Sequence, residues 1–261
     1  MLYLLSPAKS LNYDRVPPPA VAKLATTPLF VARSAELIDV LRERTADEVS
    51  ALMDLSPALT ALNMQRYAQW TVDFTAANSR PAVWAFDGDV YGGLDATSLG
   101  PADLRWAQQH LRILSGLHGV LRPLDRLQPY RLEMGTRLAN ARGADLYDHW
   151  GDTVAEHLNE QARLDRTPVI VNLASQEYFR VAHRPGVLQP RVIECVFEDW
   201  KGGRYKVISF FAKRARGLMA RHAIQHRVAT PAGLRSFAAE GYAWDAAASQ
   251  PDRLVFRRRA A

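Results

Sequence analysis

The sequence predicts an α+β fold in which helices surround a mixed sheet. Helical patterns dominate the first half of the 261-residue chain, whereas short apolar runs typical of strands dominate the second half. Strands and helices do not alternate regularly, which disfavours a doubly wound parallel sheet. Since no internal repeat or linker-like segment interrupts the chain, we expect one domain spanning residues 1–261.

The first half is predicted to contain one buried strand followed mainly by helices. The strand is residues 1–5, and the helices are residues 28–44, 45–55, 56–70 and 101–111. Thr45 and Glu48 fit a capping box, and Ser56 precedes a proline at the first helical position. Residues 81–86 are predicted to form a strand that ends in a turn, because Asp and Gly follow it.

The second half is predicted to contain most of the strands. The elements are a helix at 145–164 interrupted near Gly151, a buried strand at 169–173, strands at 191–199 and 204–211, a helix at 213–228, a short helix after Pro231 and a last strand around Val255 and Phe256. Gly202 and Gly203 between two strand-like runs indicate a hairpin with a glycine turn.

Composition indicates a globular protein of a reducing compartment. Apolar residues make up 48% of the chain and charged residues 23%, which excludes wholesale disorder. No apolar run is long enough for a membrane span, and residues 1–7 lack the basic leader of a secretory signal. The single cysteine, Cys195, lies in an apolar run and is expected to be a buried packing residue. We therefore expect a cytoplasmic protein with no membrane partner.

Positive charge is concentrated between Trp200 and Ala239, which contain nine Lys or Arg residues and no Asp or Glu, in a chain of net charge +6. The nine are Lys201, Arg204, Lys206, Lys213, Arg214, Arg216, Arg221, Arg227 and Arg235. Such a distribution predicts a positive face that attracts a polyanion. The alternative, a solvated helix face, stays open, although such faces usually mix both signs.

The helix predicted from Lys213 has one apolar face and one basic face. Ala215, Leu218, Met219 and His222 share the apolar face; Lys213, Arg216 and Arg227 lie opposite, with Arg214 and Arg221 at the flank. If five cations contacted phosphates, a plot of log affinity against log salt would have a slope of about −4.5.

Residues 114–121 contain two closely spaced glycines, Gly116 and Gly119, which enclose Leu117 and His118. Glycine lets backbone amides approach a phosphate, as in the hairpins by which paired helices bind nucleic acid. The alternative is a helix C-cap followed by a turn. Arg122 and Arg131 add cations downstream.

Other candidate sites carry weaker signals. Ser175, Glu177 and Tyr178 follow the strand predicted at 169–173, where ligands often bind, but Ser175 can equally cap a helix, and both interpretations stay open. His222 and His226 lie four residues apart, yet no third ligand accompanies them, so we predict no metal and no cofactor.

Several of these segments together resemble the bacterial YaaA peroxide-stress family. The segments are Ser6–Leu11, Gly88–Tyr91, Leu114–Asp125, Pro129–Gly135, Asn172–Phe179 and Ala212–Met219. The resemblance implies a cytoplasmic protein that limits unincorporated iron under hydrogen peroxide stress, with an α+β fold of unusual topology. It also implies a positively charged cleft including Lys9, Lys213 and Arg216, and a DNA-binding helix-hairpin-helix-like element at 116–119. It implies no defined reaction.

Three functions compete. We favour a non-enzymatic protein that binds double-stranded or structured DNA, mainly through backbone phosphates. The residues predicted to do so are Lys9, Gly116, Leu117, His118, Gly119, Arg122, Arg131, Lys213, Arg214, Arg216 and Arg221. In an enzyme acting on a nucleotide or nucleobase, Glu177 or Tyr178 would transfer protons in the same cleft. An iron-binding protein is disfavoured because no ligand cluster is evident. A duplex-sized groove would favour DNA, and a small closed cleft a nucleotide.

Overall fold

A computed structural model of the chain describes residues 1–164 and 168–259. The strands are β1 (Leu2–Leu5), β2 (Ser10–Leu11), β3 (Arg80–Pro81), β4 (Phe86–Asp87), β5 (Leu111–Ser115), β6 (Gly119–Leu121), β7 (Arg126–Leu127), β8 (Val169–Asn172), β9 (Arg191–Lys201), β10 (Arg204–Lys206), β11 (Ala243–Trp244) and β12 (Arg253–Arg258). The α-helices are α1 (Pro19–Ala22), α2 (Val31–Arg42), α3 (Ala46–Met53), α4 (Pro57–Gln69), α5 (Ala82–Ala85), α6 (Asp89–Leu94), α7 (Pro101–His110), α8 (Leu146–Trp150), α9 (Thr153–Arg163), α10 (Gln176–Ala182) and α11 (Ser209–His226). Residues Ala96–Ser98 and Pro231–Ser236 form 3-10 helices.

The main sheet is mixed, as the sequence predicts. Its strands follow the order β11-β12-β9-β8-β1-β5-β6, and β10 pairs with β9. The central strands β12, β9, β8, β1 and β5 run parallel, whereas β6, β10 and β11 pair antiparallel at the periphery. One hydrophobic cluster of helix and sheet residues extends along the chain from Met1 to Phe256. The α+β fold class is therefore confirmed.

Local sequence signals locate the early helices correctly. Thr45 and Glu48 exchange the two hydrogen bonds of a capping box at the start of α3. Ser56 accepts a hydrogen bond from the Leu59 backbone at the start of α4. Helix α8 ends at Gly151, where φ is +49°, so the interruption predicted near this glycine is confirmed.

The strand predicted at residues 81–86 is wrong, because residues 82–85 form the short helix α5. Its backbone amides are bonded outside the helix, Ala82 N donating to Asp125 O and Val83 N to Pro123 O. All four residues of α5 are buried. A short apolar run that is buried on every side has no periodicity to distinguish helix from strand.

The turn predicted after this run is also wrong beyond Gly88, since residues 89–94 form helix α6. Helix α6 packs on α11 with glycine on both sides of the contact. A Cβ atom at Gly217 would collide with the carbonyl oxygen of Val90, and one at Gly93 with that of Arg214. The glycines therefore serve close packing of two helices.

The start of α11 differs from the prediction. The helix begins at Ser209 instead of Lys213, and the preceding strand, predicted at 204–211, ends at Lys206. The adjacent aromatic residues Phe210 and Phe211 favour strand locally, but both belong to the first turn of the helix.

Candidate functional site

A cleft of about 340 Å³ lies where the parallel strands β1 and β8 end side by side. Its lining comprises residues 6–10, residues 87–90, Glu133, Ser175, Glu177, Tyr178, Lys213 and Arg216. Loops that follow the carboxyl ends of neighbouring parallel strands commonly form ligand sites. Helices α6 and α11 supply the opposite wall.

The two loops after β1 and β8 are tied together through Ser6. Its hydroxyl oxygen accepts a hydrogen bond from the backbone of Ser175 at 2.9 Å. Its carbonyl oxygen accepts one from the hydroxyl of Tyr91 at 3.0 Å. These bonds connect β1, α6 and the start of α10, so the base of the cleft is held in one arrangement.

The sequence left Ser175 as either a helix cap or a site residue. It caps α10 and also lines the cleft, so the two roles are compatible. The adjacent Glu177 is exposed, and its Oε1 atom accepts a hydrogen bond from the Gly135 backbone at 3.0 Å. Tyr178 is buried, and burial raises the pKa of its hydroxyl above the ordinary value. Its hydroxyl therefore stays protonated and is available only as a neutral hydrogen-bonding group.

Lys9 lines the cleft, and Arg131, which is not among the lining residues, shares the Glu133 carboxylate with it. Glu133 Oε1 lies 3.2 Å from Lys9 Nζ and 3.0 Å from Arg131 Nε. The Lys9 side chain is 68% exposed. One carboxylate between two cations leaves this group with a net positive charge.

Lys213 and Arg216 line the opposite wall without an ion-pair partner. Among residues 1–164 and 168–259, no carboxylate lies within 4.0 Å of either side chain. Lys213 is exposed and Arg216 is half-buried. Burial lowers the pKa of the Arg216 guanidinium from its ordinary value, although the Glu194 carboxylate acts in the opposite sense. A half-buried cation without a partner is stabilised when an anion binds beside it.

Other predicted cations are engaged elsewhere. Arg214 forms an ion pair with Glu240, at 2.9 Å between Nε and Oε1. Arg221 donates to the carbonyl oxygens of Leu94 and Asp95 at the end of α6. These two side chains hold elements of the fold together and are not among the cleft residues.

Arg122 has a similar structural role. It forms an ion pair with the buried carboxylate of Asp125 at 2.8 Å and donates to the carbonyl oxygen of Thr27. Arg227, expected on the basic face of α11, lies at the helix end and pairs with Asp103.

The helix-hairpin-helix interpretation of residues 116–119 is wrong, as is the alternative of a helix C-cap. The segment is the turn of a β-hairpin between β5 and β6, and Gly116, Leu117, His118 and Gly119 are all buried. The indole nitrogen of Trp150 donates to the Gly116 carbonyl. A Cβ atom at Gly119, whose φ is +65°, would come within 2.8 Å of the same indole ring. The glycines permit this packing, and the buried turn presents no surface to a nucleic acid in this conformation.

Three carboxylates that line the cleft, Asp87, Asp89 and Glu133, are not among the predicted site residues, whereas Glu177 is. Asp87 and Asp89 lie in the segment predicted to be a turn. Asp87 pairs with Arg15 at 2.9 Å, whereas Asp89 is exposed at the start of α6. The only signal in the sequence was the pair of carboxylates beside Gly88, which turns also carry. The lining therefore carries four carboxylates (Asp87, Asp89, Glu133 and Glu177) against three cations (Lys9, Lys213 and Arg216), so the cleft is of mixed charge and the prediction of a basic cleft is not confirmed.

The structure shows no metal centre in the part of the chain that it describes. No three His, Cys, Asp or Glu side chains are grouped there so that they could hold an ion. His222 and His226 lie with ring centres 4.5 Å apart, and His222 also contacts the Ser236 hydroxyl. Among the described residues, no helix combines the length and apolarity needed to cross a bilayer.

Comparison with known proteins supplies the family. The family model described as "Peroxide stress protein YaaA" matches residues 1–248. The chain belongs to the YaaA family of peroxide stress proteins. Its similarity to curated YaaA-family relatives extends over the full length of both chains, so the cleft and its surrounding elements fall within the shared region.

Those relatives carry only general names. The chain is 64% identical to a UPF0246 protein of Paracidovorax citrulli over 259 residues, covering 99% of each chain. It is 61% identical to UPF0246 protein Bpet1601 of Bordetella petrii over 260 residues and 62% identical to UPF0246 protein RSc2009 of Ralstonia nicotianae over 261 residues, covering 100% of each chain in both comparisons.

Proposed function

We propose that this YaaA-family chain is a cytoplasmic DNA-binding protein of the hydrogen peroxide response and that it holds the DNA backbone in the cleft. The observation that supports this most directly is the pair Lys213 and Arg216. Both line the cleft, and neither has a carboxylate within 4.0 Å in the described part of the chain. A phosphate is the anion that such a site attracts from nucleic acid.

The two walls of the cleft can hold a phosphate together. Lys9 comes from the loop after β1, whereas Lys213 and Arg216 come from successive positions on one face of α11. Arg216 supplies a planar fork of donors, and the two lysines supply point charges. The geometry thus suits a backbone contact that positions the protein and does not depend on base sequence.

The size of the cleft limits what enters it. A volume of about 340 Å³ falls at the lower end of the range for small-molecule sites and is too small for a duplex, so the size of the cleft by itself favours a nucleotide. We therefore propose that one phosphate with its attached nucleoside enters, while the remainder of a DNA molecule lies across the rims. In this proposal the protein recognises DNA at a locally accessible nucleotide.

The test compares cleft cations with cations that have a structural partner. Arg216→Gln should weaken binding of a labelled DNA duplex roughly tenfold at low salt, because it removes a charge-assisted hydrogen bond. Arg214→Gln is the matched control, since Arg214 lies two residues away but is paired with Glu240. Fluorescence anisotropy measures both affinities. Equal effects of the two substitutions would contradict the proposed role of the cleft.

A role in limiting unincorporated iron forms part of this proposal, since resemblance to the family implies it. Metal analysis of the purified protein tests whether the chain itself holds iron. Stoichiometric iron that survives dialysis would favour direct binding and would contradict an indirect effect through DNA.

An enzyme acting on a nucleotide or nucleobase is a second candidate, and the mixed charge of the cleft favours it. Carboxylates accept hydrogen bonds from the amino groups of bases, while Lys9 and Arg216 can hold a phosphate. Glu177 has one oxygen bonded to the Gly135 backbone, and Tyr178 retains its proton nearby. Glu177 is the candidate for proton transfer, whereas Tyr178, which keeps its proton, can only hydrogen-bond to the substrate.

Glu177→Gln separates the two candidates. The neutral amide keeps the size of the side chain, so a DNA-binding protein should retain its affinity for DNA. An enzyme should lose turnover of deoxynucleotides or DNA, measured by chromatography of the products. If the wild-type protein converts no nucleotide or DNA substrate and Glu177→Gln binds DNA normally, the enzymatic alternative is excluded for those substrates.

A further inference from the structure

Phe210, in the first turn of α11, exposes a large aromatic ring to solvent. Its side chain is 55% exposed, whereas that of the adjacent Phe211 is half-buried. The two rings touch, with centres 4.0 Å apart. The guanidinium of Arg258 covers the Phe211 ring at 4.5 Å, but among the described residues no guanidinium lies over Phe210. The Phe210 ring therefore remains available to a planar partner.

Phe210 belongs to the same row of side chains as the two unpaired cations of the cleft. Phe210, Lys213 and Arg216 follow one another at intervals of three residues on α11. Side chains three residues apart are neighbours on a helix surface, with Cβ atoms about 5–6 Å apart. Arg216 is half-buried, whereas Lys213 and Phe210 are exposed. The row therefore leads out of the cleft and ends on Phe210.

The contact between α6 and α11 shows on which side of α11 the ring lies. Gly217 packs against Val90, a residue of α6 that also lines the cleft. Residues seven apart lie nearly on the same side of a helix, because two turns comprise about 7.2 residues. Phe210 therefore lies on the same side of α11 as Gly217 but two turns nearer the N-terminus. Its exposure shows that α6 does not cover it there.

The position of Phe210 just outside the cleft decides which ligands can reach it. Phe210 is not among the residues that line the cleft, whereas Lys213 and Arg216 are. A ligand that fills the volume of about 340 Å³ therefore meets the ring only if it continues past Lys213. In a nucleic-acid strand the neighbouring nucleotide does so, because its sugar and base are joined to the phosphate that the cations hold.

The combination of ring and cations distinguishes a nucleic-acid strand from other partners of an exposed phenyl group. Within residues 1–164 and 168–259, neither Lys213 nor Arg216 has a carboxylate at ion-pair distance. An apolar protein surface or the interior of a membrane would cover the ring and leave these two cations without partners. A strand satisfies both groups, since its phosphates attract the cations and its bases stack on aromatic rings.

We propose that Phe210 stacks on the base next to the nucleotide in the cleft, so that the cleft selects a nucleic-acid strand over a free nucleotide. The inference rests on the proposed function of the cleft as a phosphate site. Stacking tolerates any sequence, because every base has an aromatic face. The stacked base must be unpaired, so a duplex would bind at a bulged, flipped or terminal nucleotide.

The test compares the mononucleotide dAMP with the 5′-phosphorylated dinucleotide of deoxyadenosine by isothermal titration calorimetry. The wild type should bind the dinucleotide at least about fivefold more tightly than a dinucleotide that has an abasic residue in place of the stacked base. Phe210→Ala should remove this preference and leave the Kd of dAMP unchanged, whereas Phe210→Trp should retain it. The matched control is Leu62→Ala, which removes an exposed apolar side chain from α4 and should change neither affinity. Circular dichroism confirms that each variant is folded.

Failure of this proposal and failure of the proposed cleft function give different results. If Phe210→Ala weakens dAMP and the dinucleotide by the same factor, or weakens neither, the stacking proposal is overturned, even if Arg216→Gln weakens both. Equal binding of the intact and abasic dinucleotides by the wild type would overturn it as well. A preference for the intact dinucleotide that depends on Phe210 but not on Arg216 would support the stacked base and reject the phosphate site.

Discussion

Arg216 illustrates how single residues in this protein acquire their roles. It is half-buried in the cleft wall and has no ion-pair partner among the residues that the structure describes. Arg214, two residues earlier, has a carboxylate partner in Glu240, which lies just outside the acid-free stretch of the sequence. Side chains that are chemically equivalent in the sequence therefore divide into cations that line the cleft without a carboxylate partner and cations that are engaged within the fold.

His118 is a residue whose predicted function is replaced by a structural one. It is fully buried, and its Nδ1 atom lies 2.9 Å from the Ser34 hydroxyl. Burial lowers the pKa of this imidazole from 6.5 to about 3. The folded protein thus keeps His118 neutral at pH values at which the unfolded chain protonates it.

This shift predicts how stability depends on pH. Between about pH 6.5 and pH 3 the unfolded state binds more protons than the folded state at this residue, so the free energy of unfolding falls as the pH falls. The contribution of His118 approaches about 1.4 kcal/mol per pH unit in the acidic part of this range. Urea unfolding at several pH values measures it.

His118→Gln is the control for that prediction. The variant loses packing and is expected to be less stable at every pH, but its stability should fall less steeply toward acid than that of the wild type. If both proteins show the same steepness, the pKa of His118 is not lowered in the folded state.

At the scale of elements, glycine determines how closely α6 and α11 approach. The carbonyl oxygens of Val90 and Arg214 occupy the space that a side chain at Gly217 or Gly93 would need. Because α11 carries Lys213 and Arg216, this contact also fixes the wall of the cleft. Residues 89–94, which were predicted to form a turn, are therefore part of the helix pair that supports the wall of the candidate site.

Gly217→Ala should therefore destabilise the protein by about 1–3 kcal/mol, the usual cost of overpacking. The sign of the change in the free energy of unfolding is informative. In an unobstructed helix interior, replacing glycine by alanine normally stabilises the protein by about 1 kcal/mol. Gly92→Ala is the matched control, since its Cβ would meet only ordinary contacts in α6. Urea unfolding should show loss of stability for Gly217→Ala and little change or a gain for Gly92→Ala. A stabilised Gly217→Ala variant would contradict the close approach.

The same scale shows the limits of short apolar patterns. Residues 111–121 form a hairpin and residues 82–85 a helix, although both stretches are buried and apolar. Where every side chain is buried, hydrophobic periodicity disappears, and only pairing with distant segments selects the local structure. Amphipathic helices with capping residues, such as α3 and α4, were predictable because their signals are local.

At the scale of the whole molecule, ion pairing reduces the number of cations that could contact DNA in the proposed function. The sequence alone predicted up to five contacts from the basic helix, but Arg214, Arg221 and Arg227 pair with Glu240, Asp95 and Asp103. If Lys9, Lys213 and Arg216 each contact one phosphate, the salt dependence of duplex binding should have a log–log slope of about −2.7.

Titrations of a DNA duplex at several salt concentrations check this value. Lys213→Gln should make the slope less negative by about 0.9, whereas Arg221→Gln should leave it unchanged. A slope near −4.5 would show that the paired arginines also contact DNA. A slope near zero would show that none of these cations contacts DNA phosphates.

By itself, the sequence determined the α+β class, the boundaries of the capped helices and the presence of surplus positive charge in the last third of the chain. These properties follow from composition and from contacts between residues a few positions apart. Tertiary structure alone decided which cations are free, that Asp87, Asp89 and Glu133 join Lys9 in the cleft, and that residues 116–119 are buried. Each of these outcomes depends on contacts between segments that are distant in the sequence. The spacing of residues within one segment does not specify which distant residue will contact it in the folded protein.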